Sequence, residues 1–242
     1  ENTEYVVAGT HFSEPPDYVN GDVPINTYKK NFKGYIRFLT VGHAGPLDLA
    51  FQLECPGVNF DLSHAGKGKS HGWFFFSCYN TEQANTLLEV YAAQHDKDFV
   101  MAVNWKKAEE YLKEGKGKKI AVKYMHNTFD EKTHSSKSEL RTEVTVLTAM
   151  EQKDICYFMP CPKSPHGCDV DPTGNFIVGS GKLAALIPVF SFDKMIKAIA
   201  DKNYEGDFQG IPVLKYDAVL YGEVKKPGLG PLHTEFDERG NA

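Results

Sequence analysis

Lys163 to Lys182 reads K-S-P-H-G-C-D-V-D-P-T-G-N-F-I-V-G-S-G-K, and near the end Gly228 to Ala242 reads G-L-G-P-L-H-T-E-F-D-E-R-G-N-A. Each segment sets one His shortly after a Pro, follows it with an apolar-centred run and closes with a four-residue turn. The turns are Asp171-Pro172-Thr173-Gly174 and Asp237-Glu238-Arg239-Gly240, and in both Asn follows the Gly. Asp first, Pro second and Gly fourth is the signature of a type I turn. A His on a short inner strand, then a hairpin turn, then the next strand is how a β-propeller blade presents a side chain to its central channel. Two such units predict two blades that aim His166 and His233 at one place.

Working outward, many short strands with turn punctuation and a few helices favour an all-β propeller with short helical insertions over a parallel α/β sheet. Tyr5-Val6-Val7-Ala8 and Tyr35–Leu39 read as strands, and Asn20-Gly21-Asp22 as a turn. Val58–Leu62 and Trp73–Ser77 read as a hairpin around the Gly/Lys/His-rich loop 64–72, taken as a solvated tip. Its G-K-G-K-S run is not a phosphate loop, because that pattern requires Gly where Ser63 stands. Thr81 is placed as the cap of a helix bearing Leu87, Leu88 and Tyr91. Asp98–Val103 reads as a buried strand, and Asn104 as the cap of a helix from Trp105 to Glu114 that Gly115 ends. Ile120–Met125 and Thr142–Thr148 read as strands separated by a long exposed polar loop, 126–138. Ser191 is placed as the cap of a helix over Phe192–Lys202 with an apolar stripe of Phe192, Met195, Ile196 and Ile199. Residues 207–227 read as strand and loop. The distance from His166 to His233 exceeds one blade of roughly 40–50 residues, and the helix at 192–202 accounts for the excess.

Of 242 residues, 41% are apolar and 12% aromatic, ample for a core, and the formal net charge is −5. That charge opposes attraction to nucleic acid or to an anionic membrane. No apolar run approaches the roughly 18 residues of a membrane span, and no signal peptide is read. The first residue is not Met, and the last strand of the second unit is missing, so the chain is expected to be an internal piece of a longer protein. Five Cys occur without a C-x-x-C pair. Buried thiols, with at most one disulfide, are preferred over a soft-metal site at Cys156, Cys161 and Cys168.

Neutral imidazole is a borderline-soft ligand for Cu, Zn, Fe or Ni, so His166 and His233 form a candidate metal pair. The competing reading has each His bonded to a turn Asp as a packing element. His71 and His126 are candidates for the shell around such a centre, and the remaining His read as solvated. Tyr79-Asn80-Thr81-Glu82 with Asp96-Lys97-Asp98 sets oxygen donors at both ends of a helix, an arrangement that also suits Ca²⁺. Its plain alternative is an acidic helix start and a surface Asp.

The P-H-G-x-D-x-x-P-x-G segment with its following G-K-L, the G-L-G-P-L-H-T-x-F-D-x-R-G-N-A segment and the C-Y-N-T-E…D-K-D-F-V segment stand in the order they have in the nitrous oxide reductases, which the whole stretch 1–242 resembles. Residues 156–192 resemble the variants exported by the general secretory route. The resemblance implies a periplasmic homodimer that reduces N2O to N2 and water, the last step of denitrification, with electrons from a c-type cytochrome or a cupredoxin. It implies a seven-bladed propeller, of which this chain is an internal part, around a tetranuclear copper–sulfide centre ligated by seven His. His166 and His233 are the copper ligands that match here. The other five, the outer blades and a cupredoxin domain with a dinuclear copper centre are expected outside this chain. The family's calcium site maps onto Tyr79, through its carbonyl, Glu82 and Asp98. Ser164 stands where the family often has an Asn calcium ligand. Two of seven ligands cannot assemble the centre, so the chain alone is expected to be inactive and, as an open arc of blades, poorly stable. Asp169 or Asp171 is expected to orient His166. The alternatives are a non-catalytic binding propeller with structural His, and a calcium-dependent propeller hydrolase, which would require carboxylates where His stands.

Overall fold

The structure is a computed structural model and describes residues 5–11, 33–40, 48–81, 98–130, 132–225, 228 and 230–242. Most described residues are strand, in three separate sheets, so the all-β reading holds. One sheet runs β1 (Tyr5–Gly9), β2 (Lys33–Thr40), β3 (Asp48–Pro56), β8 (Ser135–Thr148), β7 (Lys118–Asp130). A middle sheet runs β13 (Tyr204–Phe208), β14 (Ile211–Leu214), β9 (Cys156–Pro160), β6 (Phe99–Asn104), β5 (Trp73–Thr81), β4 (Val58–Ala65). The last runs β10 (Pro165–Val170), β11 (Phe176–Gly181), β12 (Leu186–Ser191), β15 (Leu220–Lys225). This last sheet is an antiparallel four-strand unit of blade size. The other two each contain one parallel pair, β3 with β8 and β14 with β9.

The middle sheet is packed on both faces, which explains why F-V-M-A-V of β6 is a continuous apolar run rather than an alternating one. Phe76, Phe99, Met101 and Phe158 face a core shared with Ile36, Phe38, Phe51 and Leu53 of the first sheet. Phe75, Val100, Ala102 and Met159 face the opposite way, onto Cys168, Val170, Ile177 and Phe190 of the last sheet. Each such buried side chain contributes about 1.5–3 kcal/mol relative to exposure.

Helix α1 (Trp105–Lys113) is capped as expected, with Asn104 accepting from the Lys107 N–H at 3.1 Å, and Gly115 follows with φ +75°. Helix α2 (Phe192–Ala200) is capped by the Ser191 hydroxyl on the Lys194 N–H. Its inner face is Phe192, Met195 and Ala198, while Ile196 of the expected stripe is 40% exposed. A four-residue helix α3 (Tyr216–Val219) interrupts the stretch read as strand and loop. The polar run 126–138 is not a loop: β7 and β8 continue through it as an antiparallel ribbon, paired as far as Asp130 and Ser135. Residues 135–140 of β8 are exposed, and polar residues form a strand there because an exposed strand needs no apolar face.

The loop between β4 and β5 is also more than a solvated tip. Lys67–Lys69 are exposed, but Ser70 is fully buried and the Lys69 N–H donates to the Thr173 carbonyl at 3.2 Å. Gly174 permits this contact, since a Cβ there would stand 1.7 Å from the Lys67 carbonyl oxygen. All five Cys are free thiols, four of them buried. Burial pushes Cys78, Cys156, Cys161 and Cys168 up. The turn at Asn20–Asp22 and the helix after Thr81 lie outside the described residues. Among the described residues no helix is long and apolar enough to cross a membrane.

Candidate metal centre

The last sheet meets the middle sheet through its edge strand β10, which lies against the edge strand β4 and its neighbour β5. His166 stands at this seam as the extra residue of a β-bulge. Pro165 pairs with Gly181 and Gly167 with Ser180, so His166 has no partner on β11. A bulge re-aims a side chain and leaves backbone groups unpaired. Here the Ser77 hydroxyl of β5 donates to the His166 carbonyl at 2.5 Å, from a fully buried position. The re-aimed ring reaches β4, where its Nδ1 stands 2.5 Å from Oδ2 of Asp61. An ionised carboxylate only accepts, so Nδ1 carries the proton and Nε2 keeps its lone pair for a ligand or a donor.

That partner corrects the expectation for Asp169 and Asp171. Because the bulge turns His166 toward β4, carboxylates further along its own strand do not meet it. Asp171 instead organises its turn, its carboxylate accepting from the N–H groups of Thr173 and Phe176 and from the Thr173 hydroxyl. Burial works against its charge, but these bonds and the Asn175 N–H outweigh it and hold the carboxyl below the usual range. Asp169 serves the other His: its Oδ2 accepts the Thr234 N–H at 2.7 Å and so holds the 230s segment on β10.

His233 does not stand on a strand, as the pattern predicts, but in an extended segment laid across the last sheet. The Gly230 N–H donates to the Lys182 carbonyl at 2.8 Å, and the turn at Asp237–Gly240 forms as read, with Gly240 N–H on the Asp237 carbonyl at 3.0 Å. Gly167 admits the segment, because a Cβ there would come within 2.5 Å of the Leu232 carbonyl oxygen. The outcome is that the His166 and His233 rings lie 5.0 Å apart, centre to centre, with planes at 73°.

Lys182 completes the seam. Its Nζ is 3.8 Å from Oδ2 of Asp61 and 4.8 Å from the ring centre of Tyr79. Tyr79 belongs to β5 one residue beyond the Cys78–Phe99 pair, which brings it to the level of Asp98. Asp98 is 7% exposed, and its Oδ2 accepts the Ser164 N–H at 2.7 Å. Ser164 has φ +55°, a left-handed conformation that Asn adopts more readily than Ser. Glu82 lies outside the described residues, so only Tyr79 and Asp98 of the candidate calcium set are placed. His71 packs against Trp105 and Lys106 at the start of α1, and His126 stands opposite Glu139 in the β7–β8 ribbon. His71 does not join the His166 seam.

Among the described residues no group of three or more His, Cys, Asp or Glu is arranged to hold a metal ion. Of the described His, the rings of His166 and His233 come together, at a spacing that would suit two ligands of one centre. With metal–nitrogen bonds of about 2.0–2.1 Å, two rings on one tetrahedral ion stand about 5 Å apart. Two packed rings have similar spacing, and the Asp61 bond is the feature that packing alone does not require.

No family model matches the chain. It is 27% identical over 99% of its length to the nitrous-oxide reductase of Pseudomonas fluorescens, and 26% identical over 100% to that of Stutzerimonas stutzeri. A shorter stretch, 35% of the chain, is 35% identical to the nitrous-oxide reductase of Cupriavidus necator. This chain is a relative of the nitrous-oxide reductases. It spans about a third of the length of the Pseudomonas and Stutzerimonas enzymes. Asp61, Lys182, Gly167 and Ser77 are the members of the seam that sequence reasoning did not single out. Only Gly167 and Lys182 had a signal, as parts of the P-H-G and G-K-L runs.

Proposed function

We propose that this chain is part of a copper-dependent nitrous-oxide reductase, in which His166 and His233 ligate the copper–sulfide centre at the hub of a seven-bladed propeller. The observation that carries the reading is the approach of two His, distant in sequence, to 5.0 Å with the Nδ1 of one committed to Asp61. When bound, a multinuclear copper centre supplies electrons to N2O. This chain's residues hold and orient. Asp61 fixes the His166 tautomer and leaves Nε2 as the donor. Asp169 and the Lys182 carbonyl hold the segment that carries His233, and Gly167 makes room for it.

Tyr79, Asp98 and Glu82 belong in this reading to a structural calcium site. In the same reading the parent is a periplasmic homodimer that takes electrons from a c-type cytochrome or cupredoxin through a second, dinuclear copper centre outside this chain.

Copper and sulfide analysis of the intact protein tests the proposal. In His166→Ala and His233→Ala, hub copper and sulfide fall while copper elsewhere persists. Survival of hub copper in both variants would make the two His packing residues, as in a non-catalytic binding propeller.

A further inference from the structure

Lys182 touches both His arms of the seam, by different atoms. Its carbonyl accepts the Gly230 N–H that anchors the His233 segment. Its Nζ lies 3.8 Å from the Asp61 oxygen that receives His166 Nδ1–H, and its ammonium stands over the Tyr79 ring. The Lys182 and Asp61 side chains are 20% and 9% exposed, so the ammonium–carboxylate contact is only weakly screened by water. A carboxylate with one cation on its flank has a preferred direction. Without it, the carboxylate can rotate about its last bond and release the imidazole. The Tyr79 ring, 4.8 Å from the ammonium, gives the Lys side chain a second contact at the seam.

We infer that Lys182 is a positioning residue of the proposed copper hub: its ammonium aims the Asp61 carboxylate, and through it fixes the ring of His166. The inference rests on the reading of His166 as a ligand, and extends it to a cation outside the proposed ligand set. It requires the charge at position 182 and not merely the alkyl chain.

The deciding experiment is proton NMR of the metal-free intact protein. The imidazole Nδ1–H held at 2.5 Å by Asp61 gives a strongly downfield resonance, assigned by its loss in Asp61→Ala. Lys182→Met and Lys182→Gln, two neutral replacements that guard against a folding defect in either one, broaden or abolish that resonance. Lys182→Arg restores it, and far-UV circular dichroism is the same in all three. Copper retention against a competing chelator follows the same order, with a loss of about twofold in the neutral variants, as fits one loose ion pair. An unchanged resonance in both neutral variants overturns the inference, as does a Lys182→Arg protein that behaves like Lys182→Met. If His166→Ala keeps its hub copper, the proposed function fails, and the NMR arm still decides whether Lys182 aims Asp61. If His166→Ala loses copper while the neutral Lys182 variants keep resonance and copper, only the Lys182 inference fails.

Discussion

Replacing Asp61 by Ala isolates the bond on which the seam depends. The contact joins a carboxylate that is 9% exposed to an imidazole N–H at 2.5 Å, and the His166 side chain is 24% exposed. Charge-assisted hydrogen bonds contribute about 1.5–3 kcal/mol, and the exposed edge of the ring puts this one in the lower half, about 1.5–2 kcal/mol. Loss of the Lys182 contact at 3.8 Å adds no more than about 0.5 kcal/mol, in line with looser ion pairs. Asp61→Asn keeps an oxygen that accepts from Nδ1–H and loses only the charge, so roughly half the effect is expected. Urea unfolding of the metal-free protein, followed by tryptophan fluorescence, gives the single-variant values. The cycle with His166→Ala then separates the pair from the rest. A coupling of about 1.5 kcal/mol is expected. A coupling below about 0.5 kcal/mol, within the additivity of unconnected sites, would refute the reasoning that Asp61 holds His166.

Gly167→Ala places a Cβ 2.5 Å from the Leu232 carbonyl oxygen, so the His233 segment lifts off β10, and metal analysis should show loss of hub copper with little change in melting temperature. Gly174→Ala meets the Lys67 carbonyl at 1.7 Å, whereas Gly115→Ala meets nothing within 4 Å although both have positive φ. Gly115→Ala therefore costs about 1 kcal/mol of stability, the ordinary left-handed penalty, and Gly174→Ala clearly more, as melting will show. Met195→Ala removes a fully buried side chain and costs about 2–5 kcal/mol, while Ile196→Ala, on the exposed side of the same helix, stays within about 0.5 kcal/mol. Asp171 has a folded pKa below its unfolded value, so its contribution is complete above about pH 4 and is lost as pH falls through the lower folded value. Asp171→Asn should flatten the acid limb of a stability–pH curve below about pH 4, and an unchanged limb would contradict the turn bonds. Thiol counting should find five reactive groups in denaturant and slow reaction in the native protein, with Cys161, the one thiol that is partly exposed, ahead of the others.

What could be read locally was read from local chemistry. Asn104 and Ser191 cap their helices because a side-chain oxygen meets an N–H three residues on, a relation contained in adjacent sequence. The turns at Asp171–Gly174 and Asp237–Gly240 form for the same reason. The run F-V-M-A-V announced a buried strand, since only burial on both faces removes alternation. Parts of β7 and β8 were read as strands, but their continuation through the run 126–138 was illegible because those residues carry no apolar period, and the outward turn of Ile196 was decided by where α2 meets the last sheet.

The candidate site divides in the same way. His166 and His233 were identifiable because each sits in a recognisable Pro–His–turn segment. Asp61 was not, because it comes from β4, 105 residues earlier, and nothing in V-N-F-D-L says which strand lies beside it. The bulge at His166 sent the ring to that neighbour and away from Asp169, whose carboxylate was left to anchor the other arm. By itself, then, the sequence determined the strands that carry an apolar pattern, the caps, the turns and the two imidazoles. Tertiary structure alone decided their partners, because a hydrogen bond of 2.5 Å depends on the seam between two sheets and on no spacing along the chain.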